Sequence, residues 1–191
     1  MPDFNKSALD YFERLYARDP DPWRFKTSDY EREKYEATLN ALPPGRYERA
    51  LEVGCSIGVL TRQLAATCDE LLAVDISPLA IRHAEKFCDD LPWVQFAAMD
   101  VRQQWPEGQF DLILFSEVLY YLGPEGIAAA AERSLSSLAP GGAVLLVNWL
   151  GETGAACTGN QAAESFIAAA RPRLVPTLQR QTTNYRLDVL K

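Results

Sequence analysis

LEVGCSIG, residues 51–58, closes an apolar run around a carboxylate and then spends two glycines within five residues. A turn of this kind lets backbone approach a ligand closely at the end of a strand. What flanks it decides the fold. Downstream, apolar strands are expected at 49–53 (RALEV), 70–75 (ELLAVD), 94–99 (VQFAAM), 110–116 (FDLILFS) and 143–149 (AVLLVNW). Helices are expected between them over about 58–67, 78–88, 124–138 and 161–170. Pro78 and Pro124 occupy first helical positions, where a missing N–H costs nothing. Ile127, Ala131, Leu135 and Leu138 fall on one stripe. Near-continuous apolar strands separated by helices make a parallel sheet covered on both faces. The last two segments, RLVPTLQRQ (173–181) and NYRLDVLK (184–191), have no helix between them and pair only as a hairpin, so the sheet ends antiparallel.

Upstream, residues 5–17 carry Leu9, Phe12 and Tyr16 on one side of a helix, and RDPDPW (18–23) breaks it. A second helix starts near Ser28, whose spacing to Glu31 is that of a capping box, and stops at Pro43-Pro44-Gly45. The expectation is one domain over 1–191: a helical cap (1–45) on an α/β, Rossmann-like, doubly wound core (46–191). That core has a mostly parallel seven-stranded sheet with an antiparallel C-terminal edge hairpin.

The composition is that of an ordinary globular chain, and the net charge is −7, unevenly placed. Residues 51–170 hold fifteen acids against five bases, which disfavours a nucleic-acid backbone as partner and favours a small molecule. No apolar run approaches the roughly 20 residues of a membrane span, and residues 1–15 lack the apolar stretch of a secretory leader. Cys55, Cys68, Cys88 and Cys157 form no CxxC pair and the chain has a single histidine, His83, so no metal site is expected. The cysteines read as reduced thiols of a cytoplasmic protein.

Ligands of such sheets sit at the carboxyl ends of the strands. Here those ends carry Glu52–Gly58, Asp75, Asp100, Ser116–Tyr121 and Trp149. Asp75 follows Gly54 by 21 residues, the position from which a carboxylate accepts the hydroxyls of an adenosine ribose. Two plainer accounts stand beside this: the glycines serve tight packing, and Asp75 caps the helix entered at Ser77. A dinucleotide fingerprint would place glycine where Ser56 stands. Glu52, an anion at the strand end, repels a pyrophosphate and suits a cation. S-adenosylmethionine carries a sulfonium and an amino group and no phosphate, so electrostatics favours it over NAD.

LEVGCSIG, AVDIS, AAMDV, FDLILFSEVLYYL and LAPGG, spread over about residues 49–149, resemble the successive motifs of class I S-adenosylmethionine-dependent methyltransferases. DPDPW, YEREKY, the GCxxG variant and SEVLYYL narrow the resemblance to the nodulation protein S group, which implies N-methylation of an amino sugar. The resemblance implies that Glu52, Gly54, Cys55 and Gly58 surround the methionyl end of the cofactor. It implies that Asp75 takes the ribose, Ile76 packs on adenine, Asp100 accepts the adenine amine beside Val101, and Ser116 approaches the methionyl amine. S-adenosylhomocysteine would be the product.

Methyl transfer is an in-line displacement, so the protein must align the nucleophile, exclude water and handle one proton. Glu117, directly after the fourth strand, is the expected acid–base or ammonium-binding group, with Tyr120 and Tyr121 beside it. Trp23, Tyr30, Tyr35 and Trp149 are expected on the acceptor side, the first three carried by the cap as a lid; Trp23, beside two prolines, reads equally as a clamp on the core. The loop GETGAACTGN (151–160) follows the fifth strand. The expected activity is N-methylation of an amino sugar or related polar amine. The alternatives are O-methylation of a small molecule and non-catalytic binding of S-adenosylmethionine.

Overall fold

The computed structural model describes residues 4–191. Its strands are β1 (Tyr47–Val53), β2 (Cys68–Asp75), β3 (Val94–Ala98), β4 (Phe110–Ser116), β5 (Leu138–Trp149), β6 (Pro176–Gln181) and β7 (Tyr185–Leu190). They form one seven-stranded sheet in the order β3-β2-β1-β4-β5-β7-β6. The pairs from β3 through β5 are parallel, whereas β5–β7 and β6–β7 are antiparallel. The helices are α1 (Phe4–Arg18), α2 (Asp29–Ala41), α3 (Val59–Leu64), α4 (Pro78–Phe87), α5 (Leu119–Ser137) and α6 (Gly159–Ala170).

The apolar strands bury both faces. On one face Leu51, Val53, Phe115 and Leu146 pack with Ile127, Ala131 and Phe166 of α5 and α6. On the other, Leu112, Leu114 and Leu145 pack with Leu60 and Leu64 of α3 and Tyr35 of α2. The connection from β3 to β4 has no helix; Trp105 covers the sheet there, stacked obliquely on Phe115 and donating its indole N–H to Ser137 at 3.0 Å.

Three details depart from the expectations, and a fourth fills in what they left open. The helix expected from 124 begins at Leu119: Gly123, with φ 70° and ψ 170°, kinks α5 ahead of Pro124, so the glycine–proline pair is a joint and not a start. Leu138 already belongs to β5, which begins five residues before the apolar run at 143. The helix expected over 58–67 is α3 followed by a 3-10 turn, Ala65–Thr67. The C-terminal strand β7 inserts between β5 and β6, leaving β6 at the edge.

Both cap helices are fastened to the strand ends. Ser28 caps α2 by accepting the N–H of Glu31 at 3.3 Å. Glu13 of α1 accepts from the Ser77 hydroxyl and from the N–H of Leu79 at 3.0 Å, so α1 grips the first turn of α4. Between the helices, Asp21 accepts the N–H groups of Phe25 (2.7 Å) and Lys26 (3.1 Å) and closes the turn that carries Trp23. Tyr30 of α2 rests edge-on against Trp149 and Tyr185, at ring separations of 5.8 and 6.4 Å.

Candidate active site

Strand order reverses between β1 and β4, the switch point at whose carboxyl ends ligands of such sheets bind. The cap roofs it, enclosing a cavity of about 500 Å³, within the usual range for small-molecule sites. Every residue expected at the site lines this cavity except Gly58.

Gly54 explains why the turn is tight. Its φ is +87°, and a Cβ there would lie 2.5 Å from the carbonyl oxygen of Ser116 and 3.1 Å from the Val118 side chain. The ends of β1 and β4 therefore meet only over a glycine. Gly58 has a different reason. Its φ is +82°, but a Cβ would run into Ala84 and Cys88 of α4, at 3.1–3.3 Å. The packing account holds for Gly58, which does not border the cavity. Ser56 takes a positive φ of 50° without being glycine, and its hydroxyl bonds the phenol of Tyr16 from α1. Strain in a turn persists where neighbours over-determine it, and here the cap supplies that hold.

At this end Glu52 is fully buried, and neither carboxylate oxygen has a hydrogen-bond partner among the described residues. Burial pushes its carboxyl up to about 7, with the Thr61 hydroxyl opposing the rise and Asp75 adding to it. An unpartnered buried carboxylate facing a cavity is a poor structural element and a good receptor for a cationic group. Asp75 accepts the N–H groups of Ser77 at 2.9 Å and Ser56 at 3.0 Å. The cap of α4 is Ser77, whose hydroxyl accepts the Ala80 N–H at 3.1 Å; Asp75 instead ties the Ser77 and Ser56 backbones together while lining the cavity. Burial raises its carboxyl to about 6 despite those two bonds. Asp100 is held by Arg102 through Nε and Nη2, at 2.8–3.2 Å, and by Gln103. Although burial opposes ionisation, the Arg102 bonds bring its carboxyl below the ordinary value. The donor set fits S-adenosylmethionine: an unpaired anion for the amino group or sulfonium, a second carboxylate beside it for ribose, and a cradle that a Cβ would fill.

A pH dependence follows. The folded Glu52 carboxyl keeps its proton up to about 7, whereas its ordinary value is 4.5. The unfolded chain therefore releases that proton first, and the ligand-free fold loses stability as pH rises through this window. A cationic ligand needs the ionised form. Affinity for S-adenosylhomocysteine, which carries the same ammonium group, should rise about tenfold between about pH 6 and pH 8. Calorimetry at both values checks this, and Glu52→Gln should flatten the profile.

At the other end of the cavity Glu117 also has a positive φ, 56°. Its Oε1 receives the Lys34 ammonium at 2.7 Å, and its Oε2 receives the Tyr120 hydroxyl at 3.0 Å and the Trp149 N–H. Lys34 also pairs with Glu31 at 2.9 Å and is almost fully buried. Burial would lower its pKa, but Glu117 and Glu31 more than offset this and hold the ammonium charged. Tyr120 is buried, and burial plus the neighbouring Glu117 raise its phenol well above the ordinary value. Tyr121 lies against Tyr120 at 4.6 Å and edge-on to Phe12 of α1 at 5.1 Å.

Glu31 and Lys34 were missed in the sequence. A signal existed: the buried residues of α2 are Glu31, Lys34, Tyr35 and Thr38, spaced i, i+3, i+4, i+7. Two charges occupy the stripe where apolar residues belong. Trp23, expected either as lid or as clamp, sits between these roles. Its ring stacks on Phe25 at 5.4 Å and meets Tyr16 edge-on, yet it remains 39% exposed and borders the cavity.

The Nodulation protein S (NodS) family profile matches residues 5–184. A curated relative, nodulation protein S of Sinorhizobium fredii, is 38% identical over 126 residues, covering 64% of this chain and 57% of the relative. Phosphoethanolamine N-methyltransferase 1 of Arabidopsis thaliana is 31% identical over 120 residues, 61% of this chain and 24% of that enzyme. The matches thus span little more than half, or less, of these relatives' lengths. The crystal structure of the N-methyltransferase NodS from Bradyrhizobium japonicum WM9, in complex with S-adenosyl-L-homocysteine, superposes with a TM-score of 0.81. It is 28% identical and covers 96% of this chain and 97% of that one.

Proposed function

The chain belongs to the nodulation protein S family, and we propose that it is an S-adenosylmethionine-dependent methyltransferase acting on the nitrogen of an amino sugar or related small polar amine. The observation that carries this is one cavity with two unlike ends. An unpaired buried carboxylate and a glycine turn suited to the donor face a carboxylate-bearing, aromatic-walled end suited to a cationic acceptor.

S-adenosylmethionine supplies, when bound, a methyl group on a sulfonium. The chain does the rest. Glu52 and the Gly54 turn receive the methionyl end, Asp75 takes the ribose hydroxyls, and Ile76, Asp100 and Val101 border the adenine. Ser116 offers its carbonyl near the methionyl amine. The α1–α2 cap excludes water and holds the acceptor against Tyr120 and Tyr121. Tyr30, Tyr35, Trp23 and Trp149 supply ring faces and edges on which a sugar can lie. Glu117 is fixed at the acceptor end by three donors, where a carboxylate favours a nitrogen that becomes cationic as it is methylated. The two bases lining the cavity, Lys34 and Arg102, are engaged by carboxylates. The site therefore suits an unphosphorylated amine better than phosphoethanolamine.

Calorimetry with S-adenosylmethionine, S-adenosylhomocysteine and NAD tests the donor, and a labelled-methyl assay over amino sugars, small amines and hydroxyl compounds tests the acceptor. The expected result is binding of the first two ligands, none of NAD, and turnover confined to amines. Tight NAD binding without a signal from S-adenosylmethionine ends the reading. Donor binding without turnover on any acceptor makes the protein a non-catalytic binder.

A further inference from the structure

The Lys34 ammonium occupies a box whose walls are Glu31 (2.9 Å), Glu117 (2.7 Å) and the rings of Tyr30 and Tyr35, at 5.4 and 5.9 Å. Two carboxylates and two aromatic faces are what recognises an organic ammonium ion. All five residues line the cavity described above. The Lys34 side chain is only 3% exposed, whereas Glu31 and Glu117 keep 10% and 18%. All three side chains thus line the cavity, with the lysine the most enclosed of them. The Tyr30 hydroxyl in the same wall is buried and has no hydrogen-bond partner among the described residues. Two carboxylates against one ammonium leave the box one positive charge short of neutrality.

We propose that Glu31 and Glu117 are the acceptor's ammonium-binding site and that Lys34 is a specificity-determining residue, a built-in counter-ion that cancels one of their two charges. With Lys34 in place the box attracts a single amine and holds it no more tightly than one net negative charge allows. An amine held this way stays exchangeable and can lose its proton before attack. Without Lys34 the box would bind the protonated amine more strongly. Without Glu31 it would have no net attraction left. The charge offset acts at contact distance in a partly dry site, where a unit charge changes affinity by about tenfold or more.

This inference rests on the amine reading of the function, and its test separates the two. D-glucosamine is titrated into protein saturated with S-adenosylhomocysteine at neutral pH, with N-acetylglucosamine as the uncharged control. Against wild type, Glu31→Gln is expected to weaken glucosamine about tenfold. Lys34→Met is expected to tighten it severalfold. The double variant E31Q/K34M restores one net negative charge and is expected to bind within about twofold of wild type, which also covers the case in which Lys34→Met alone folds poorly. N-acetylglucosamine should respond to none of these changes. If Lys34→Met weakens glucosamine, or the double variant fails to restore binding, Lys34 is a structural strut and the inference falls while the amine reading stands. If wild type binds N-acetylglucosamine as well as glucosamine, or binds neither, the amine reading falls and takes the inference with it.

Discussion

Replacing Gly54 with alanine should lower the melting temperature by about 10 °C and abolish measurable binding of S-adenosylhomocysteine. A residue with a Cβ at φ +87°, as here, costs about 1–2 kcal/mol. The new atom would also sit 2.5 Å from the Ser116 carbonyl oxygen, which belongs to backbone and cannot swing away. Relieving that contact means prising the end of β1 from the end of β4, at about 1–3 kcal/mol more. Those two ends are the floor of the cavity, so donor affinity goes with the geometry. Gly58→Ala is the matched control. It carries nearly the same φ penalty and crowds Ala84 and Cys88, so it should also destabilise. Because it lies outside the cavity wall, the folded fraction should bind S-adenosylhomocysteine as wild type does. Equal loss of ligand binding in both variants would mean that the turn acts only through stability.

Glu117→Gln should reduce turnover by about 100-fold or more while leaving affinity for S-adenosylhomocysteine within about twofold. The carboxamide fits the same space but cannot balance Lys34 or a nitrogen that gains charge. Lys34 keeps Glu31 as partner, so the loss of stability should stay at about 1–3 kcal/mol, short of the cost of leaving a buried charge alone. Steady-state turnover, calorimetry and a thermal melt of the same preparation separate the effects. Parallel losses in donor binding and turnover would place Glu117 among the donor's contacts.

The parallel sheet, its antiparallel end and the glycine-turn wall of the cavity were legible in the sequence because each is written locally. Apolar runs of strand length, prolines at helix starts and a glycine turn with Asp75 one strand later are short-range signals. The acceptor end was less legible, because its contacts are long-range. Lys34 reaches Glu117 across 83 positions. In α2 only the i, i+3, i+4, i+7 stripe marks Glu31 and Lys34 as inward. The lysine partner of Glu117 was not legible for the same reason: it comes from a helix that precedes the sheet. Gly123-Pro124 carries a helix-start signature, yet a further turn from Leu119 packs ahead of it, and burial of Leu119 and Tyr120 overrides the local signal.

The central claim is that one cavity brings a methyl donor to an amine held by the cap. The direct measurement is the position of the methyl group on D-glucosamine after incubation with the protein and methyl-labelled S-adenosylmethionine, read by NMR of the isolated product. A single labelled methyl is expected on the amino nitrogen, and none on N-acetylglucosamine treated in the same way. A label on a hydroxyl oxygen, or equal labelling of the acetylated sugar, would contradict it.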